Sequence, residues 1–388
     1  MSHILCINMS TNLYLNSFAK TNPINKEHLF QIMKKSILLL LVFLISLSSF
    51  GQKKDKEEKN FKFAGIPLLG YNRTIGFSLG ALLNSYYKVN QQDTISPSSS
   101  TSLIGVYTTN NSYFGAFIQQ FFLKEDIWRI KLIGGFGNAN LQVYPEFGDA
   151  GDYIDYSSLV KMGSIDVKRK VYNRFYAGLS ASLMNAETTF DYIDPSTGDY
   201  YVDKQTLNNV GVNLLYDNRD NVNYPTKGLH VFMNNQFFSD GLGNDSSFVK
   251  IEFSYNFYFN FKSEKRVMLL RYYSKSSIGE VPFQGYNTVR GDDIRGYSKG
   301  DHRDKQIYSY QAEYRHRFEN KFGFVAFVGI AAAVPDMMSL LNAQYLPGIG
   351  IGLRYLIIKK EKINLGIDVA VGRNDWSLTF RVGEAFSR

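Results

Sequence analysis

Two stretches of the chain have the spacing of a catalytic serine. GFSLG at Gly76–Gly80 and GYSKG at Gly296–Gly300 match the G-x-S-x-G pattern, which would make Ser78 and Ser298 nucleophiles. That chemistry needs a sharp turn from a strand into a helix, but Ser78 lies in an alternating, strand-like stretch and Ser298 in a charged segment. The chain has 32 glycines, so such matches arise easily by chance, and we expect no enzyme.

The histidines and the cysteine offer no other catalytic or metal chemistry. His230, His302 and His316 have no companion at the spacing of a triad or a metal site. Cys6, the chain's one cysteine, precedes the predicted leader described below. We therefore predict no disulfide, no metal and no cofactor. Clustered loop carboxylates could bind Ca²⁺, but their spacing fits no EF-hand.

A third segment, Arg290–Lys305, is dense in charge and reads RGDDIRGYSKGDHRDK. An arginine in it presents a planar fork of N–H donors that suits a carboxylate. Which carboxylate it meets depends on the flanking elements, because the segment leads directly into an alternating stretch, Ile307–Phe318. There the even positions are mostly aromatic and the odd positions from Ser309 onward are polar.

The same period of two recurs along the chain, for example in Val249–Phe261 and Tyr345–Ile357. A period of two predicts β-strands. Many of these stretches exceed the roughly 5–6 residues of an average strand and suit the roughly 9–11 residues of a membrane-spanning strand. The predicted strands are 61–66, 72–89, 101–109, 112–123, 126–141, 156–169, 172–190, 204–216, 228–239, 246–262, 265–279, 306–319, 321–334, 345–358, 361–371 and 375–386.

In lipid, every backbone polar group must be paired, so strands can span a membrane only as a closed barrel. We predict an all-β fold, a transmembrane antiparallel β-barrel of about 16 strands with an apolar outside and a polar inside. Long connections (142–155, 191–203, 280–305 and 335–344) alternate with short charged turns, as external loops alternate with periplasmic turns. Residues 280–305 would then be the sixth external loop, whereas the long 90–100 segment is an exception.

The amino-terminal region predicts export. Residues 1–32 look like an over-extended start, and 33–51 have the lysine pair, apolar run and small-residue end of a cleaved signal peptide. Residues 52–60 form a charged periplasmic linker and 61–388 the barrel. We therefore place the protein in a Gram-negative outer membrane, in contact with lipid and lipopolysaccharide. The net charge of +8 is not clustered on an aromatic-rich face, so we expect no nucleic-acid partner.

Three segments resemble the bacterial surface-antigen barrels of the BamA/TamA outer-membrane assembly superfamily. In that family the long sixth loop carries a V-R-G-F/Y motif. The corresponding residues in this chain are Ile294, Arg295, Gly296 and Tyr297. GRNDWSLTFRVGEAF resembles the family's closing strand, with Phe386 taking the place of its terminal aromatic residue. The family's D-x-R-D…P-x-G periplasmic turn is matched by Asp217, Arg219, Asp220, Pro225 and Gly228.

The resemblance implies that the sixth loop folds into the lumen and that Arg295 pairs with an inward carboxylate. By alternation, Glu313 and Asp368 point inward and are the candidates. The family often has an aspartate on the thirteenth strand where this chain has Gly329, which favours Glu313. Alternatively, the loop is charged merely because it is solvated.

The resemblance also implies a role in the insertion or passage of proteins through the outer membrane, with periplasmic or client proteins as partners. Because the 52–60 linker is too short for a POTRA domain, we predict a barrel without one. A weakly paired seam between the first and last strands would admit other chains. The alternatives are a passive pore or structural surface antigen and, third, a barrel enzyme.

Overall fold

The computed structural model describes residues 61–72, 75–143, 154–193, 197–297, 300, 302–359 and 361–386. The predicted start, signal peptide and linker lie outside these residues, and so does Ser298. The strands are β1 (Phe61–Asn72), β2 (Gly76–Tyr87), β3 (Ser99–Thr108), β4 (Tyr113–Leu123), β5 (Trp128–Val143), β6 (Ile154–Tyr172), β7 (Phe175–Ile193), β8 (Tyr200–Thr206), β9 (Asn209–Asp217), β10 (Gly228–Phe238), β11 (Phe248–Phe261), β12 (Ser263–Gly279), β13 (Asn287–Thr288), β14 (Arg303–Asp304), β15 (Gln306–Arg317), β16 (Phe322–Val334), β17 (Leu346–Ile358), β18 (Ile363–Gly372) and β19 (Asp375–Val382).

The wall of the barrel is one antiparallel sheet in which strands that follow each other in sequence pair, and β19 pairs back onto β1. β8 and β9 both pair with β7, so they are two parts of one wall strand. β13 and β14 pair only with each other, inside the loop between β12 and β15. The wall therefore has 16 strands, which confirms the predicted fold class. Within the described residues, no helix is long and apolar enough to cross a membrane.

Several predicted strand boundaries differ from the observed ones, and three of these differences have a clear structural cause or consequence. β1 continues to Asn72 instead of ending at 66. The predicted strand 204–216 is interrupted at Leu207–Asn208. The backbone N–H and the side-chain amide of Asn208 both donate to the loop after β10, so the backbone N–H does not continue the strand pairing. β19 ends at Val382, because Gly383 adopts a left-handed φ of 84° and turns the chain away from the wall.

The cross-strand register shows which side chains share the inner face. Glu313 on β15 lies opposite Leu269 on β12 and Phe327 on β16, and all three are buried. The alternate positions of the strands point to the outer face. On many strands these positions carry large, apolar, exposed side chains, such as Leu183, which is 65% exposed. The period of two thus separates a lumen face from a lipid face.

Candidate functional site

The inner face of β16–β18 is built largely from glycine and alanine, which leaves room beside the wall. A Cβ atom on Gly348 would lie 2.5 Å from the carbonyl oxygen of Arg295. A Cβ atom on Gly372 would lie 2.6 Å from the ring of Tyr297. The absence of side chains at these two positions therefore allows the loop between β12 and β15, residues 280–305, to approach the wall.

The four motif residues of this loop lie against that small-residue face. Ile294 and Tyr297 are buried in a cluster with three inward residues of the wall, Ile307, Ala331 and Leu346. This packing removes apolar loop residues from water, which stabilises the loop against the wall.

Hydrogen bonds and a strained position hold the same motif. The hydroxyl of Tyr297 donates to the carbonyl of Pro347 at 2.8 Å and accepts from the amide of Arg373 at 2.9 Å. Gly296 has a φ of 104°, and a Cβ atom there would lie 2.8 Å from the backbone of Val371. Only glycine tolerates both the dihedral angle and the approach.

Arg295 reaches both carboxylates that alternation placed inside. Its Nη2 lies 2.6 Å from Oε2 of Glu313, as a close ion pair without hydrogen-bond alignment. Its Nη1 lies 3.5 Å from Oδ2 of Asp368, and its guanidinium lies 3.3 Å from the ring centre of Phe327. Burial lowers the pKa of Arg295, and the two carboxylates oppose that effect, so the side chain stays charged.

The pair belongs to a larger buried network. Glu313 accepts a hydrogen bond from Nε of Arg315 at 2.6 Å. Asp368 accepts from Nη1 of Arg354 at 2.5 Å and from Nε of Arg381 at 2.7 Å. Each acid is thus shared by several guanidinium groups, which compensates the cost of burying these charges. Arg315 and Arg354 lie on the same inward face as Glu313, but alternation within a strand could not predict their partners.

The chain end after β19 completes the network and contradicts the prediction of a closing strand through Phe386. Had the strand continued, the register of β19 would have turned Glu384 outward. Instead, Glu384 lies in the lumen and accepts from Nε of Arg354 at 2.9 Å and from Nδ2 of Asn364 at 2.6 Å. The carbonyl of Phe386 accepts from the hydroxyl of Tyr258 at 2.7 Å. Residues 383–386, the described residues after Val382, therefore occupy the lumen.

The predicted periplasmic turn, residues 217–228, is braced by its own carboxylates. Arg219 donates to both oxygens of Asp217, at 2.8 and 2.9 Å. Asp220 accepts from the amide of Thr226 at 2.8 Å. Gly228 has a φ of 114°, and a Cβ atom there would lie 2.6 Å from the carbonyl oxygen of Asn218. The remaining motif residue, Pro225, is buried.

This turn crosses one end of the barrel. Asn223 donates to the carbonyl of Glu361 in the turn between β17 and β18, at 3.1 Å. Ser98, at the end of the long connection between β2 and β3, donates to the carboxylate of Glu361, also at 3.1 Å. The unusual length of that connection thus has a structural reason, since three turns meet at Glu361 and cover this end.

The seam between β1 and β19 is the least paired junction of the described wall. The two strands pair at Gly70↔Thr379 and Tyr71↔Leu378. β1 pairs with β2 along its whole length, from Phe61 to Asn72. A stack of Tyr71 on Trp376, with ring centres 5.2 Å apart, supports the short seam.

A family model matches this architecture. The Omp85 superfamily domain covers residues 138–357, more than half of the chain. This chain belongs to the Omp85 superfamily. Its barrel fold indicates an outer-membrane location, and the described part of this Omp85 protein contains no POTRA domain.

Solved barrels share the fold at low sequence identity. BamA from Haemophilus ducreyi lacking POTRA domains 1-3 matches with a TM-score of 0.54 and 13% identity over 85% of this chain and 70% of that one. CdiB from Acinetobacter baumannii matches with a TM-score of 0.56 and 12% identity over 84% of this chain and 60% of that one. CdiB from Escherichia coli matches with a TM-score of 0.54 and 10% identity over 86% of this chain and 64% of that one. No curated protein is significantly similar in sequence.

Proposed function

We propose that this Omp85 barrel helps proteins insert into or pass through the outer membrane by parting at the seam between β1 and β19. One observation carries the proposal: pairing of these strands is confined to Gly70 and Tyr71 on β1 within the described wall. Membership of the superfamily supports the same role in protein assembly or translocation.

The physical reason lies in the unpaired backbone. Residues 61–69 of β1 bond to β2 on one side and have no described partner on β19 on the other. Unpaired N–H and C=O groups facing lipid cost several kcal/mol each. An incoming strand that pairs with this edge would satisfy them, as in other cases of strand addition to a sheet edge.

A disulfide across the seam tests the proposal. Tyr71 and Leu378 are register partners, so Tyr71→Cys with Leu378→Cys would lock the junction. The probe is an eight-stranded outer-membrane barrel, diluted from urea into liposomes that contain the Omp85 protein. Heat-modifiable gel mobility would report its folding rate. We expect the protein to accelerate folding, the oxidised lock to abolish the acceleration, and reductant to restore it.

A matched lock controls for the disulfide itself. Leu83 and Leu103 are register partners on the fully paired β2 and β3, and both are exposed on the outer face. Leu83→Cys with Leu103→Cys should leave the acceleration unchanged. Equal folding rates with the seam open and locked, or no acceleration by the wild type, would contradict the proposal.

We also propose that Ser78 has no catalytic role, since it lies within a strand pair, opposite Gly70, and faces the lumen. Lipid and lipopolysaccharide are the proposed contacts of the apolar outer face, and unfolded client proteins the proposed partners of the seam. A passive pore is the alternative, and the conductance experiment below distinguishes it.

A further inference from the structure

The lumen is not filled evenly. A cavity of about 930 Å³ lies between the inner face of β3–β7 and the loop of residues 280–305. Its volume is within the roughly 300–1,000 Å³ of small-molecule binding sites. Arg295 and Arg381 of the ion-pair network border the cavity, but its main wall belongs to β3–β7, which the proposed insertion role at the β1–β19 seam does not use.

The wall of the cavity is mainly apolar, contrary to the predicted polar interior. Neighbouring strands contribute inward side chains that share the same face by register: Val106, Phe114, Val160, Met162, Met184 and Ala186. The inward positions of β5 between them include Gly135 and Gly137, which widen the space. Apolar surface of this kind favours a hydrocarbon chain over water as its neighbour.

The loop side of the same cavity is positively charged. Four arginines line it, Arg290, Arg295, Arg303 and Arg381, against one acid, Asp292. Arg295 and Arg381 pair with carboxylates of the network. Arg290 and Arg303 form no salt bridge with a carboxylate among the described residues.

Of these two arginines, Arg303 is the one whose side chain is held in place by neighbouring residues. Its guanidinium lies 3.8 Å from the ring centre of Phe283 and donates to the carbonyl of the same residue. Its Nε is buried without a hydrogen-bond partner in the described structure. Arg290 lies near enough to add a second positive charge. A buried, partly unsatisfied guanidinium beside an aromatic ring is suited to an anionic head group.

The cavity reaches the barrel wall at the seam. It is lined by inward residues of the seam strands, such as Gly70 and Thr379, and also by their lipid-facing neighbours Tyr71 and Leu378. An acyl chain in the membrane would therefore meet the cavity where the wall is least paired.

We propose that the cavity between β3–β7 and the loop binds a single-chain anionic lipid, with its acyl chain on the apolar wall and its carboxylate or phosphate on Arg303 and Arg290. The two halves of the site match the two parts of such a molecule. A zwitterionic head would bring a positive group to the two arginines, and a neutral head would leave their positive charges uncompensated.

Tryptophan fluorescence in the full chain, reconstituted in phosphatidylcholine liposomes, tests this site. Trp128 and Trp376 are first replaced by phenylalanine, and Met184→Trp then reports from the cavity wall. Leu183→Trp is the matched control, because Leu183 immediately precedes Met184 on β7 and faces lipid at nearly the same depth. The quenchers are dibromostearate and a brominated phosphatidylcholine. Heat-modifiable gel mobility verifies that each variant is folded.

We expect dibromostearate to quench the Met184→Trp reporter saturably, and brominated phosphatidylcholine to leave it nearly unchanged. Both lipids should quench the Leu183→Trp control without saturation. Arg303→Gln should weaken the apparent affinity for dibromostearate about tenfold, since a charge-assisted hydrogen bond is lost. Arg290→Gln, whose side chain is exposed, should weaken it by less, about threefold.

Three results would overturn the lipid site. The inward reporter could be quenched by neither lipid, which would leave the cavity to water or to a polypeptide. It could be quenched equally by both lipids, which would remove the anion preference. Saturable quenching unchanged by both arginine substitutions would show that the head group lies elsewhere. A failed seam lock alone would contradict the insertion role without affecting these measurements.

Discussion

The two sides of the lumen have similar lipid-facing residues on the outside of the wall, but their inner faces differ in polarity and in how far they are filled. On the loop side, β15–β19, glycines and buried ion pairs hold Arg295 and the chain end against the wall. On the cavity side, β3–β7, apolar side chains face a space of about 930 Å³. The lipid-facing residues are large and apolar on both sides, for example Leu179 and Ile351. The membrane thus constrains the outer positions alike, and the inner positions are free to differ.

The largest expected difference between the sides is the effect of removing an acid. Glu313→Ala on the loop side leaves Arg295 and Arg315 buried without their closest carboxylate, which should destabilise the barrel by about 3–5 kcal/mol. Asp166→Ala on the cavity side breaks a partly exposed pair with Lys168 and one hydrogen bond from Asn213, for a smaller cost of about 1–2 kcal/mol. Urea unfolding in liposomes measures both, and equal costs would remove the distinction.

A smaller effect on stability is expected when a glycine of the inner face is replaced by a larger residue. Gly372→Val would collide with the ring of Tyr297, so we expect a loss of about 1–3 kcal/mol and faster trypsin cleavage after Arg290 as the loop leaves the wall. Gly135→Val is the control, because the nearest atom to its Cβ is 3.4 Å away on the cavity side. If Gly135→Val released the loop equally, the glycine face would not be what holds it.

Single-channel conductance of the reconstituted protein in a planar bilayer sharpens the comparison further. We expect the wild type to give a small, flickering current, and Arg295→Ala to enlarge it several-fold because the loop loses its anchors on Glu313 and Asp368. Lys168→Ala, on the cavity side, should change the current little. A large, steady wild-type current that Arg295→Ala does not alter would favour the passive pore.

The smallest expected effect concerns the seam, where the two sides meet. A double-mutant cycle of Tyr71→Ala and Trp376→Ala should give a coupling of about 0.5–1.5 kcal/mol in the free energy of unfolding, as for other stacked aromatic pairs. A coupling near zero would mean that the two backbone register pairs alone close the seam in this region.

Much of the barrel could be predicted from the sequence because the decisive signal is local. A period of two determines which residues are strand and which face they share, and lipid requires closure. The predicted count of 16 was confirmed, although the predicted single strand 204–216 is built from β8 and β9. The same alternation placed Glu313 and Asp368 inside, where both contact Arg295.

The partners of Arg295 required more than alternation. The choice of this arginine came from the resemblance of residues 294–297 to a family motif, since a charged loop by itself is equally consistent with solvation. The sequence favoured Glu313, and the structure places Glu313 nearer than Asp368, at 2.6 against 3.5 Å. It also adds Arg354 and Arg381, whose contacts with Asp368 depend on the register of neighbouring strands.

By itself the sequence determined the strands, their two faces and the closed barrel, because alternation and backbone pairing act between near neighbours. Only the tertiary structure decided that Glu384 and Phe386 turn into the lumen, that three turns meet at Glu361, and that one side of the lumen stays open. These features depend on which residues face each other across the closed barrel. That relation is set by the strand register and the path of the loops, which no period within one strand specifies.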